Sequence, residues 1–336
     1  MPRPIDEFRA AWAALSGRGE EEGGWRGISV APAGVCELMA ARRFPGNEEA
    51  LLARFPTVRL GSSEQLPEGK GFEVVRADPF GDGGTWIALS RKESGSPELF
   101  AEMVGDVAGA MDTDAAEGET AVLRTMLRRV RMWQQFMSRG VGPLSPEAEL
   151  GLAGELYFIS HLIDAGVSPD GVLSGWVGPD DAPQDFLLGD GAIEVKATMS
   201  SSGFPVKIGS LEQLDDAVAS PLFLAAVRFA RTEGGVTLPE MVAEVVRRLG
   251  DEPGAIEHLR ERLMIAGYAE AHSGHYFRRF ESKEIRVFTV TEGFPRLTSG
   301  VVPAGITRAL YEINLDHAGD FMRDFDAVLS QLGEIQ

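Results

Sequence analysis

At 336 residues the chain exceeds the usual single-domain size, so two compact units, or one core with a large elaboration, are expected. A composition of 44% hydrophobic and 25% charged residues is ordinary for a globular protein, and no apolar run approaches bilayer-spanning length, which excludes a membrane protein. The 32 Lys and Arg stand against 51 Asp and Glu, and a net charge of −19 repels phosphates, so any nucleic-acid role has to rest on local basic patches or a partner.

Residues 1 to 22 carry Asp6, Glu7 and Glu20 to Glu22 without an apolar segment, so no secretory signal is read and a cytoplasmic location is expected. Residues 5 to 15 have amphipathic helical spacing, interrupted by a Gly/Glu-rich loop at 16 to 24. Cys36 is the sole cysteine, which excludes an internal disulfide and a multi-cysteine zinc site. It lies in Gly34-Val35-Cys36-Glu37-Leu38-Met39, which reads as an apolar helical stretch holding a buried structural thiol. Phe72 to Ala77 and Thr85 to Leu89 are strand-like and the residues between them are turn chemistry, so a hairpin is predicted. Helical spacing returns at Pro97 to Met111 and Glu119 to Arg139. The second of these holds the densest basic run, Arg124, Arg128, Arg129 and Arg131, with 124, 128 and 131 on one face; it is either a phosphate-contacting stripe or a solvated helix face.

Gly140 to Pro143 stops that helix and precedes Ser145-Pro146, an N-cap with proline at the first helical position, which sets a domain boundary. The next unit opens with a helix to about Ala165, then a short strand at Val172 to Val177, a loop from Gly178 to Pro183, and a tight hairpin across Gly189-Asp190-Gly191. A Ser/Gly stretch at 200 to 203, a helix near Leu211 to Ala219 and an apolar strand at Leu222 to Phe229 complete an α/β pattern. Beyond Thr232 come helices at Leu238 to Leu249 and Pro253 to Ile265, and strands at Tyr276 to Arg279 and Ile285 to Thr291. The expected division is an N-terminal α+β region at 1–140, a core at 145–230 and a C-terminal α/β elaboration at 231–336.

The hairpin carries the chemistry. With Asp190-Gly191 as a two-residue turn, Gly189 pairs with Ala192, Leu187 with Glu194, and Asp185 with Lys196. Asp185, Glu194 and Lys196 then share one face, and Phe186, Ile193, Val195 and Ala197 form the apolar other face, suited to packing against a helix. Two carboxylates this close repel, and a hard divalent cation resolves the conflict; oxygen-only ligation suits Mg²⁺ or Mn²⁺. A lysine two residues after the glutamate can orient an attacking water whose pKa the cation lowers, so phosphodiester hydrolysis is the implied reaction.

Asp185, Glu194-Val195-Lys196, a helix bearing Glu155, and Gln213 resemble the PD-(D/E)XK nuclease superfamily. More narrowly, Gly154-Glu155-Leu156, Asp185-Phe186, Ile193 to Thr198 and Glu212-Gln213-Leu214 resemble a bacterial family assigned to it, most closely over about 145 to 230. The resemblance implies a restriction-endonuclease-like α/β core, with a mixed central sheet flanked by helices, and a setting among restriction or phage-defence genes. It implies Asp185 and Glu194 as metal ligands, the Val195 carbonyl as a third, and Lys196 as the water-positioning base or electrostatic stabiliser. Glu155 would bind a second metal or hold a metal-bound water, and Gln213 would touch the water network or a phosphate. Pro179-Asp180 matches the motif's Pro-Asp pair verbatim, but Asp185 is preferred because the hairpin places it beside Glu194.

The expected function is thus a Mg²⁺-dependent DNA endonuclease subunit of a bacterial restriction or anti-phage system, working with a helicase or methyltransferase, with homo-oligomerisation left open. The alternative is a catalytically silent DNA- or partner-binding subunit, which the −19 charge motivates. A small-molecule enzyme with Lys196 as nucleophile is disfavoured, because carboxylate neighbours do not depress a lysine pKa. His272 and His275 are too few for a zinc site and read as loop residues, and phosphate-loop, dinucleotide and serine-elbow motifs are absent. Arg278, Arg279, Lys283 and Arg286 interleave with Tyr276, Phe277 and Phe280, either as a base-stacking surface or as ordinary strand alternation. Trp133, Phe136, Tyr157, Phe158 and Trp176 are expected in the core.

Overall fold

The computed structural model describes residues 3–17, 23–61, 65–81, 83–140, 142–250 and 252–333. The chain divides into two units, Met1–Gly142 with Ala269–Ala271, and Pro143–Tyr268 with His272–Gln336. The expected loop at 16 to 24 lies partly outside the described residues, as does Val141 of the expected boundary.

In the first unit α1 (Ile5–Leu15) precedes three strands, β1 (Gly24–Ala33), β2 (Cys36–Phe44) and β3 (Glu48–Phe55). The predicted hairpin follows as β4 (Phe72–Ala77) and β5 (Thr85–Arg91), and all five strands form one antiparallel sheet in the order β1-β2-β3-β5-β4. Cys36 therefore begins a strand and not a helix. A six-residue apolar run fits either period, and cross-strand pairing with β1 and β3 decides it, burying Cys36, Leu38 and Ala40 and exposing Glu37. Burial pushes the Cys36 thiol up to about 11, with the Glu119 carboxylate acting in the same direction, so the thiol is unreactive.

The predicted helices are α2 (Pro97–Thr113), capped by Ser96, and α3 (Glu119–Arg139). Their seam holds a buried ion pair: Arg129, with no exposed surface, donates to Asp106 Oδ1 at 3.0 Å, and Trp133 Nε1 donates to Asp106 Oδ2 at 2.8 Å. Arg129 thus leaves the basic run and turns inward, while Arg124, Arg128 and Arg131 stay exposed.

The second unit begins with α4 (Pro146–Asp164) and α5 (Pro169–Gly175), then β6 (Phe186–Leu188), β7 (Gly191–Thr198), β8 (Pro205–Ile208) and β9 (Leu222–Val236). It continues through α6 (Leu238–Leu249), α7 (Pro253–Ile265), β10 (Phe280–Thr289), β11 (Tyr311–Asn314), β12 (Met322–Arg323) and α8 (Phe325–Leu332). Strands β12-β10-β9-β7-β6 form a mixed sheet in which β7 and β9 run parallel and the other pairings are antiparallel; β8 and β11 pair separately. Segment 231–336 is therefore built into the central sheet through β10 and β12.

Alternation divides the sheet cleanly. Ile193, Val195, Phe223, Ala225 and Val227 pack into one core with residues of α4, α6, α7 and α8. Ala192, Leu222, Leu224 and Ala226 face a second cluster containing Phe204, Val206, Ile208 and Leu214.

Three further local expectations fail. Residues 172 to 177 belong mostly to α5, because Ser168 caps Gly171 N–H and Pro169 starts the helix, signals that outweigh the short apolar run. Residues 211 to 219 are turns, because Ser210 and Asp215 side chains accept from the Glu212 and Ala217 N–H groups and compete with helix formation. Tyr276 to Arg279 precede the strand, and Tyr276 is spent instead as an acceptor for Leu144 N–H at 3.0 Å. Among the described residues no helix is long and apolar enough to cross a membrane.

Candidate active site

The β6–β7 hairpin turns at Gly189-Asp190, with Gly189 at φ 51°, and pairs Leu188 with Gly191, Leu187 with Ala192 and Phe186 with Ile193. The predicted register is thus displaced by two residues. A displacement of two leaves every side chain on its face, so Asp185, Glu194 and Lys196 still share one side, and Phe186, Ile193 and Val195 are buried on the other.

The ladder stops where the chemistry begins. β6 starts at Phe186, so beyond Ile193 no strand of that hairpin pairs with β7. The Asp185 side chain takes over: its Oδ2 accepts the Val195 N–H at 2.7 Å, which fixes the carboxylate beside Glu194. Val177 and Gly178 N–H groups donate to the Asp185 carbonyl at 2.8 and 2.9 Å, holding its backbone from the other side.

Glu155 arrives from α4, which lies on the Val195 and Ala197 side of the sheet. Gly154 permits this, because a Cβ there would stand 2.8 Å from the Ala197 Cβ. Trp176 Nε1 then donates to Glu155 Oε2 at 2.6 Å, which fixes the carboxylate. Gly154→Ala should cost about 1–3 kcal/mol by pushing α4 off the strand. Chemical denaturation checks this, and a wild-type stability would refute the close approach.

The four groups feel one another. Glu194 is wholly buried; Lys196 Nζ forms an ion pair with its Oε1, while Oε2 has no hydrogen-bond partner among the described residues. Burial, and then the Asp185 and Glu155 carboxylates, push the Glu194 carboxyl well above the ordinary range against the pull of Lys196. Burial also pushes Glu155 up to about 8, aided by Asp185 and opposed by the Trp176 N–H, Lys196 and Arg262. Asp185 is raised by burial, with Lys196 and the Val195 N–H holding it back. Burial alone would depress the Lys196 ammonium, but Glu194, Asp185 and Glu155 together raise it.

Among the described residues no three His, Cys, Asp or Glu side chains are placed to hold a metal ion by themselves. The donor chemistry nevertheless fits a hard divalent cation. All the acids are oxygen donors, and a buried carboxylate oxygen lacks a partner. Carbonyl and water ligands ordinarily complete such a shell.

The other candidates are held by partners of their own. Asp180, of the verbatim Pro-Asp pair, bonds Arg262 Nη1 of α7 at 2.6 Å and is half exposed. Gln213 Oε1 accepts the Gly209 N–H at 2.7 Å, and Gln184 Nε2 donates to the Glu212 carbonyl at 2.9 Å, so both glutamines fasten a loop. His272 and His275 have ring centroids 6.1 Å apart and belong to no metal-binding group among the described residues. Two participants escaped the sequence reading. Trp176, expected only as core, orients Glu155, and Arg262, far from the motif in sequence, bonds both Asp180 and the Trp176 carbonyl.

A family model described as "Putative PD-(D/E)XK family member" (DUF4420) matches residues 8–316. No curated protein and no solved structure matches the chain.

Proposed function

The chain belongs to this PD-(D/E)XK family, and from that premise we propose that it is a Mg²⁺-dependent DNA endonuclease acting at the open edge of β7. The observation that carries the proposal is the meeting of Glu155, Asp185, Glu194 and Lys196 around a buried carboxylate oxygen that has no hydrogen-bond partner among the described residues. Asp185, Glu194 and the Val195 carbonyl would hold Mg²⁺ or Mn²⁺, with Glu155 binding directly or through water. Bound there, the cation would supply Lewis acidity and a more acidic water. Lys196, anchored on Glu194, orients the attacking water and offsets charge developing on the phosphate. Asp185 keeps its aim through the Val195 N–H, and Glu155 keeps its aim through the Trp176 indole.

Purified protein should cut DNA with Mg²⁺, and Lys196→Ala should lose about 10²-fold or more in rate. Equal cutting by both would reject the site. Metal binding should also depend on pH in a fixed direction. The Glu155 carboxyl, ordinarily at 4.5, stands at about 8 in the fold, so the folded protein holds this proton more tightly than the unfolded chain. Its contribution to stability is full below 4.5 and is lost as pH rises through about 8. Because Mg²⁺ replaces that proton, the rise in melting temperature at saturating Mg²⁺ should be larger at about pH 8.5 than at about pH 6. A rise independent of pH would argue against Glu155 as a ligand or ligand anchor.

The −19 charge favours one second reading, a silent DNA- or partner-binding subunit. Calorimetric titration with Mg²⁺ separates the two, since a silent subunit gives no heat. A place in a bacterial restriction or anti-phage system, beside a helicase or methyltransferase, is proposed on the family resemblance alone.

A further inference from the structure

A DNA enzyme with a net charge of −19 needs somewhere to set the phosphates down. Many of its arginines are committed to carboxylates: Arg42 and Arg91 to Glu49, Arg43 to Glu73, Arg296 to Asp216. On the solvent side of helix α3 in the first unit, Arg124 and Arg131 break this habit. Its only acidic residue, Glu119, is buried at the N-terminus and turned onto the Thr57 and Val58 N–H groups. The solvent side carries Thr120, Arg124, Arg128, Arg131, Gln135 and Ser138, all exposed and none acidic. Arg124 and Arg131 form no ion pair among the described residues. The loop meeting the helix at Gln134, which donates to the Glu68 carbonyl at 2.7 Å, adds the exposed Lys70, and its Glu68 carboxylate is paired with Lys92, which follows β5.

We propose that this face of α3 docks the phosphate backbone of nucleic acid, the substrate class of the reaction proposed above, on which this inference rests. From Arg124 to Arg131 the helix rises about 10 Å. That distance spans about three phosphates of one strand at about 3.4 Å per nucleotide along the axis. Guanidinium groups suit the task because their planar donor forks match phosphate oxygens, and contacts of this kind position a duplex without reading its sequence.

The experiment measures duplex binding by fluorescence anisotropy across a KCl series, using the Glu194→Gln protein in Ca²⁺ so that no cutting intervenes. Adding Arg124→Gln and Arg131→Gln should weaken binding about tenfold, equally for unrelated sequences, and reduce the slope of log affinity against log salt by about 2. With Glu194 restored, the same pair should raise KM and leave kcat at saturating DNA unchanged. Arg124→Lys with Arg131→Lys should keep the salt slope, which a merely structural loss would not. Unchanged affinity and slope in the glutamine variant, with the parent binding well, overturns the α3 assignment alone. No binding by the parent overturns the nuclease proposal and this one with it. Unchanged DNA binding with lost binding to polyglutamate would move the face to an acidic protein partner and overturn the nucleic-acid assignment.

Discussion

Glu194→Gln should abolish Mg²⁺-dependent cleavage, by a factor on the order of a thousand, while leaving the metal-free protein as stable as the wild type or more so. The two halves of this expectation have one cause. Glu194 is wholly buried, its Oε2 has no hydrogen-bond partner among the described residues, and Asp185 and Glu155 press on it. An amide of the same shape removes the repulsion from the metal-free site and also removes a ligand from the loaded one. A residue kept for folding would show the opposite, a stability loss with activity falling only as the protein unfolds. Cleavage assays paired with melting curves in EDTA decide the matter. Retained cutting would show that the chemistry lies elsewhere, and a large drop in melting temperature would make the Lys196–Glu194 pair a structural one.

Asp106→Ala should destabilise the first unit by about 3–5 kcal/mol, because it removes the carboxylate of a buried ion pair and the acceptor of the Trp133 indole together. Arg129 has no exposed surface, and Asp106 is also the acceptor for the Trp133 indole. Asp106→Asn should cost less, since the amide oxygen can still accept from Trp133. Urea unfolding followed by tryptophan fluorescence measures both. A loss for Asp106→Ala of about 1 kcal/mol or less, the range of an exposed pair, would mean that the seam admits solvent or a substitute partner.

The sequence was most readable where local signals agree with tertiary demands. Long periodic helices with Ser-Pro starts, α2 and α4, stand where the pattern puts them. β1 to β3 were passed over because glycine and paired charges, such as Arg42 with Glu49 and Arg54 with Glu37, mask the apolar alternation. Residues 172 to 177 and 211 to 219 went wrong at single polar side chains that cap or break a turn, a scale finer than any periodicity. The acidic cluster tolerated a misplaced turn only because the error was even; a slip of one residue would have sent Glu194 into the packing of Ile193 and Val195. Trp176 and Arg262 were illegible as site residues because tertiary packing alone brings them to Glu155 and Asp180.

The early end of β6 has a consequence for solubility as well as for reactivity. A sheet margin with vacant N–H and C=O groups is an invitation for a foreign strand to add on, and folds commonly deter this with inward-pointing charge. Asp185 occupies one such N–H, and the charged Glu194 and Lys196 stand beside it, so the groups proposed for hydrolysis are also placed in the way of an added strand. A silent subunit would need the same plug for that margin, and combined neutral substitutions at 185, 194 and 196 should be watched for self-association before any loss of cutting is put down to chemistry.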